Sequence, residues 1–333
     1  MPPCLYDVLG LGNAIVDVIS RADDDFLAAQ GLNKGAMMLI DEARAEELYK
    51  AMGPAAIVSG GSAANTIIGA ASLGCSAAFI GKVKADELGA VFAHDIRAAK
   101  VKFSTAFSPD GAASARCLVI VTPDGQRTMN TFLGACQSLT EADVDEDIVK
   151  HSGIVYLEGY LWDPPAAKAA FVKASKIARA AGRKVALSLS DSFCVDRYRD
   201  EFIGLIRSGA VNILFANESE LHSLYQTADF DTAVAQLRGE NILSAITRSE
   251  QGSIVVTRDE VLATPAFPVD EVVDTTGAGD LFAAGFLAGL SKGKDLGTCA
   301  RLGSLAAAEI IQHIGARPQT DLAQLAGQNG LKL

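Results

Sequence analysis

The chain has 333 residues, with 40 Asp plus Glu against 29 Lys plus Arg and a formal net charge of −11. That balance excludes nucleic-acid binding driven by bulk electrostatics, because such binding needs excess Lys and Arg to displace counterions from phosphates. With 49% hydrophobic and 21% charged residues, the composition excludes extensive disorder and leaves ample chain to bury a core.

The first apolar run, Tyr6–Leu11, has no basic segment ahead of it and is predicted as a strand, not a signal peptide. A helix at 62–73 stops at Gly74, a strand at 77–81 follows, and a second helix covers 87–99. Strands at 154–158, 184–189, 212–215 and 244–247 are each nearly continuous in apolar character, as for buried parallel strands. Between them lie helices at 165–181, ending at Gly182, and at 202–207, ending near Gly209. Strand–helix alternation predicts an α/β fold with a doubly wound, mostly parallel sheet flanked by helices, read as a single domain over 1–333. Two segments, approximately 14–42 and 103–135, break the rhythm. The second reads as short strands, with 116–121 and 128–133 joined by the turn Thr122-Pro123-Asp124-Gly125. A surface β-flap and a lid over a crevice both fit these two segments.

The longest apolar stretches are short and broken by Gly or by Glu309, so no membrane segment is expected. Six single cysteines and four scattered histidines lack metal-ligand spacing, which points to reduced thiols in a soluble cytoplasmic protein. A monomer and a homodimer are both left open.

Chemistry concentrates in Asp274-Thr275-Thr276-Gly277-Ala278-Gly279-Asp280, just ahead of a helical pattern at 281–290. A Gly-Ala-Gly turn opening a helix frees backbone N–H groups at the positive end of the helix dipole, which suits a phosphate in transfer. Asp280, in the first turn beside that anion hole, could take a proton from an attacking hydroxyl. A plain Gly-rich turn with an acidic helix start is the alternative. Neither the Walker pattern nor the dinucleotide Gly fingerprint is present.

This motif, with Phe282 and Gly285 after it, resembles the C-terminal signature of the ribokinase-like (PfkB) carbohydrate and nucleoside kinases. Three further motifs are similar to that family in order and spacing: Gly10-Leu11-Gly12-Asn13 with Asp17, Gly60-Gly61-Ser62-Ala63-Ala64-Asn65, and Asn217-Glu218-Ser219-Glu220. The resemblance implies a small β-sheet lid and transfer of the ATP γ-phosphate to an alcohol, with Asp280 as general base and Gly277, Ala278 and Gly279 in the anion hole. It implies that Asn13, Asp17, Gly60, Gly61 and Asn65 hold the acceptor. A carboxylate such as Asp17 suits two vicinal sugar hydroxyls, although an Asx turn at Asn13 and a helix-face amide at Asn65 are equally ordinary readings. Asn217, Thr247, Gly252 and His313 would serve the nucleotide, and Glu220 would hold Mg²⁺ through water. Asp274 and Thr276 would offer oxygens to a monovalent cation, K⁺ in some relatives. In Thr247-Arg248-Ser249-Glu250-Gln251-Gly252, Ser249 departs from the family's first Gly.

Within the family the chain looks closest to the adenosine kinase branch. Its Gly-Gly-Ser-Ala-Ala-Asn lacks the ribokinase Lys, and Leu32-Asn33-Lys34-Gly35 with Met37 precedes Leu39-Ile40-Asp41. The resemblance thus implies a nucleoside acceptor, most readily adenosine, with apolar residues there and at Phe132 and Leu133 sandwiching a purine. Another purine nucleoside, or a sugar as in ribokinases and fructokinases, is the alternative within the family. A silent binding homologue is the alternative outside catalysis.

Overall fold

The computed structural model describes residues 3–333. Among them, one sheet of nine strands runs in the order Val261–Thr264, Ser253–Val256, Leu243–Thr247, Ile213–Asn217, Lys184–Ser188, Ser152–Glu158, Tyr6–Leu11, Ala77–Ile80, Val101–Phe103. Pairing is antiparallel for Val261–Thr264 and Ser253–Val256 and parallel from Leu243–Thr247 to Val101–Phe103. Alternate side chains enter opposite faces, so Leu9, Leu11, Val155 and Leu157 pack into one buried cluster while Val8, Ile154 and Tyr156 pack into another. Pro165–Ala180 and Ser192–Arg207 cover the first face, and Ser62–Ser72, Ala278–Ser291 and Leu296–Ile310 cover the second. The expected doubly wound architecture is therefore present. The direction of winding changes at Tyr6–Leu11, which lies between Ala77–Ile80 and Ser152–Glu158. In such sheets, ligands bind beyond the carboxyl ends of the strands at that point.

A second sheet holds five strands in the order Met37–Leu39, Arg127–Phe132, Ala115–Val121, Ile15–Arg21, Ala55–Gly60. Its one face packs Val18, Leu118 and Phe132 against the helix Glu42–Ala51, which Asp41 caps by accepting from the Arg44 N–H. Ala55–Gly60 lies outside both segments named from the sequence. Val101–Phe103 instead closes the large sheet. The helix expected at 202–207 begins ten residues earlier, at Ser192. Asp191 caps it, and a non-helical Tyr198 kinks the polar first half that masked it. Among the described residues, no helix is long and apolar enough to cross a membrane, and all six cysteines are free.

Candidate active site

A cavity of about 560 Å³ opens between the two sheets, at the carboxyl ends of the parallel strands. It gathers Asn13, Asp17, Gly61, Asn65, Asn217, Glu220 and Thr247, with every residue from Thr275 to Asp280. Residues named from four distant motifs thus share one wall-to-wall space. Gly60, Gly252, Asp274 and His313 do not line it.

The anion-hole turn is built on Gly277, whose φ of +80° starts the helix Ala278–Ser291. A Cβ at Gly277 would stand 2.8 Å from the Ala316 methyl. The Ala278 N–H turns back to the Thr275 carbonyl at 3.2 Å. Asp280 lies in the first turn and is gripped by both oxygens: Ser62 Oγ donates at 2.6 Å and Asn65 Nδ2 at 2.9 Å. Burial raises its carboxyl above the ordinary value, against those two hydrogen bonds and the charge of Arg317.

On the acceptor side, burial pushes Asp17 up to about 6, against the attraction of Arg127 and Arg317. Gly60 is needed because a Cβ there would lie 2.5 Å from Asp17 Oδ2. Gly61 takes φ +97° with its missing Cβ against the Asn13 carbonyl oxygen, so neither position admits a side chain. Asn13 Oδ1 and Asn65 Oδ1 are buried without a hydrogen-bond partner among the described residues, so each keeps a free acceptor.

Glu158 was not among the residues named from the sequence. This wholly buried carboxylate closes the strand Ser152–Glu158 and accepts from the N–H groups of Asn13 at 2.6 Å and Ala63 at 2.7 Å. Burial pushes it up to about 7. It ties the end of the first strand to the start of the helix Ser62–Ser72. Its only signal in sequence was an acid ending an apolar run. Arg127, Arg197 and Phe193 also reach the cavity unannounced, the first two ion-paired with Asp274 and Asp163.

At the nucleotide end, Asn217 and Glu220 form a reciprocal cap on the helix Glu218–Tyr225. Glu220 accepts from the Asn217 N–H at 3.0 Å and from its Nδ2 at 2.7 Å, and burial pushes its carboxyl up to about 7. A carboxylate oxygen can accept more than one hydrogen bond, so Glu220 fits Mg²⁺ through a metal-bound water, not by direct ligation. No cluster of three His, Cys, Asp or Glu able to hold a metal occurs among the described residues. Asp274 does not fit the role of a cation ligand through its side chain. Its carboxylate is neutralised by a buried ion pair with Arg127, and it also accepts from the Thr276 and Gly315 N–H groups at 3.0 Å each. Thr276 does line the cavity.

Thr247 faces the cavity, while Gly252 sits in the hairpin turn behind it with φ +83°. Ser249 adopts φ +50°, a left-handed conformation that costs a residue with a Cβ and that a Gly would take freely. Ser249→Gly is expected to stabilise the protein by about 1 kcal/mol. Equilibrium unfolding in urea measures this directly. His313 lies 3.3 Å from the Glu309 carboxylate, outside the cavity. Phe132 packs on the far face of the small sheet, whereas Leu133 lines the cavity.

A family model described as pfkB family carbohydrate kinase matches residues 38–322. A curated adenosine kinase from Saccharomyces cerevisiae is 28% identical over 328 residues, covering 92% of this chain and 94% of that protein. Among solved structures, adenosine kinase from Sinorhizobium meliloti is 54% identical with a TM-score of 0.92, covering 97% of this chain and 99% of the other. A probable sugar kinase protein from Rhizobium etli CFN 42 is 51% identical with a TM-score of 0.93, covering 98% and 99%.

Proposed function

The chain belongs to the pfkB family of carbohydrate kinases, and on that basis we propose that it transfers the γ-phosphate of ATP to the 5′-hydroxyl of adenosine, giving AMP and ADP. Phosphoryl transfer to an alcohol is the activity of its kinase relatives. The observation that carries the nucleoside reading is the apolar wall in which Asp17 is set, on the strand Ile15–Arg21 beside Cys117. There the small sheet turns Ile15, Cys117, Val119 and Met129 into the cavity, with Met37 and Leu39 at its edge. A ribose diol on Asp17 would lay its base against this apolar wall, and a free hexose has no group to fill it.

In this reading the acceptor hydroxyl meets Asp280, whose grip by Ser62 and Asn65 fixes the direction of proton abstraction. Free N–H groups of Gly279 and Asp280 receive charge on the transferring phosphoryl group. Asn13 and Asn65 supply the remaining polar contacts to the sugar. Asn217 and Thr247 border the nucleotide, and Gly252 shapes the Thr247 hairpin from behind. Glu220 would hold Mg²⁺ through water, and the ion would supply charge neutralisation to the ATP phosphates. Closure of the small sheet over the acceptor would exclude water and suppress ATP hydrolysis. Six free cysteines suit a reducing, cytoplasmic compartment.

A sugar acceptor is the second reading, favoured by the similarity to the Rhizobium etli protein. The compound 5′-deoxyadenosine separates them. Expected is competitive inhibition against adenosine with no ADP formed above background. Absence of inhibition, with ribose or fructose turned over, would assign the pocket to a sugar.

A further inference from the structure

Three consecutive residues near the C-terminus touch both halves of the site. The Gly315 N–H donates to Asp274 at the head of the anion-hole loop, at 3.0 Å. Ala316 packs against the side of Gly277 where a Cβ would stand. Arg317 then crosses to the acceptor side, donating from Nε to the Ser59 carbonyl at 2.8 Å and from Nη2 to Ser59 Oγ at 3.2 Å and the Gly60 carbonyl at 3.4 Å. Ser59 is held from its other end by Asp95, which accepts its N–H at 3.1 Å.

The chemistry of this guanidinium is unusual. All three of its hydrogen bonds among the described residues go to uncharged oxygens, and Nη1 is buried with no partner at all. A buried charge without a contact partner is costly, and the carboxylates whose charges reach this one are Asp17, Asp280 and Asp95. Arg127, the other cation near Asp17 and the stronger attraction on it, also forms a buried ion pair with Asp274. Gly60, whose carbonyl Arg317 holds, is the residue backed against the Asp17 carboxylate.

We propose that Arg317 is a positioning residue for phosphoryl transfer, which fixes the Ser59–Gly60–Gly61 turn, and with it the glycine backed against Asp17, relative to the anion-hole loop, and adds its charge to that of Arg127 in the field at Asp17. This rests on the kinase reading above. The Asp17 carboxylate then meets its acceptor in the ionised, two-acceptor form, and the distance from acceptor to anion hole is set by three covalently linked residues. The charged groups facing Asp17 agree with that role: Arg127 and Arg317 lower its carboxyl, while burial, Asp280 and Asp274 raise it. For Asp280, the one charge opposing its burial is that of Arg317.

The test compares Arg317→Met and Arg317→Lys with the unaltered full chain. With whichever acceptor the protein turns over, Arg317→Met is expected to raise the acceptor KM about tenfold and to move the acid limb of kcat/KM up by about one pH unit. The KM for ATP stays within about twofold, since the nucleotide end is untouched, and Arg317→Lys recovers the pH limb because it restores the charge. An equal fall in kcat/KM at every pH, with Lys no better than Met, would overturn the proposal in favour of a merely structural role. A second readout needs no turnover: ¹³C-carboxyl NMR titration of Asp17, assigned with Asp17→Asn. Its midpoint should rise in Arg317→Met and return in Arg317→Lys, and an unmoved midpoint in a folded variant would overturn the proposal. Failure of every acceptor would count against the kinase reading alone, because the titration still decides the role of Arg317.

Discussion

Asp280→Asn is expected to lower kcat by about 10³-fold while leaving the fold intact, since a positioned general base contributes roughly 10²–10⁴-fold. In the proposed mechanism the side chain is held for chemistry and not for stability. Both oxygens are engaged, by Ser62 and by Asn65, so an Asn keeps one of these bonds directly and can recover the other by an amide flip at Asn65, whose Oδ1 is unpartnered. The sign of the stability effect follows from the raised carboxyl of Asp280. A group titrating higher folded than unfolded favours the fold when protonated, and that favour is lost as pH rises through its folded value. A neutral Asn escapes the loss, so Tm at pH 8 should be equal to or above that of the unaltered protein. Single-turnover kinetics with thermal unfolding measures both halves. Near-normal kcat would remove Asp280 as the base, and a collapsed Tm would make it a structural residue.

Asp17→Ala should strike acceptor binding instead, raising the acceptor KM by roughly 10²-fold or more with a smaller effect on kcat. Two charge-assisted hydrogen bonds to vicinal hydroxyls are worth about 1.5–3 kcal/mol each, and the truncation loses both. The pH dependence carries the same signature. Asp17 is pushed up to about 6, so as pH falls through that value the carboxylate protonates and becomes a poorer double acceptor. Acceptor affinity, measured by isothermal titration between pH 5 and 8, should therefore weaken below about pH 6 in the unaltered protein and be flat in Asp17→Ala. A flat profile in both would exclude Asp17 as the diol contact.

Much of this site was legible because its parts announce themselves locally. The Gly277–Asp280 turn, the Gly60–Gly61 pair and the Asn217/Glu220 cap are short motifs whose backbone demands are written in adjacent residues. The central strands were legible for a similar reason: buried on both faces, they read as continuous apolar runs. What was missed depends on partners far along the chain. Arg127 meets Asp274 across 147 residues, Arg317 meets Ser59 across 258, and Glu158 meets Asn13 across 145. A single charged residue carries no local mark of such a partner. The first half of Ser192–Arg207 was lost because its polar residues and the kink at Tyr198 blur the helical period. Asp274 was named from the sequence as a cation ligand, whereas its carboxylate is paired with Arg127.

The central claim is that Asp17, the apolar wall and Asp280 together define a nucleoside acceptor. Its most direct test is product formation from Mg²⁺-ATP with adenosine, inosine, guanosine, cytidine, ribose and fructose offered separately, read as ADP release and by ³¹P NMR of the product. The account predicts selective turnover of adenosine, with the new phosphate on the 5′-oxygen. Turnover of ribose or fructose with adenosine inert would contradict it.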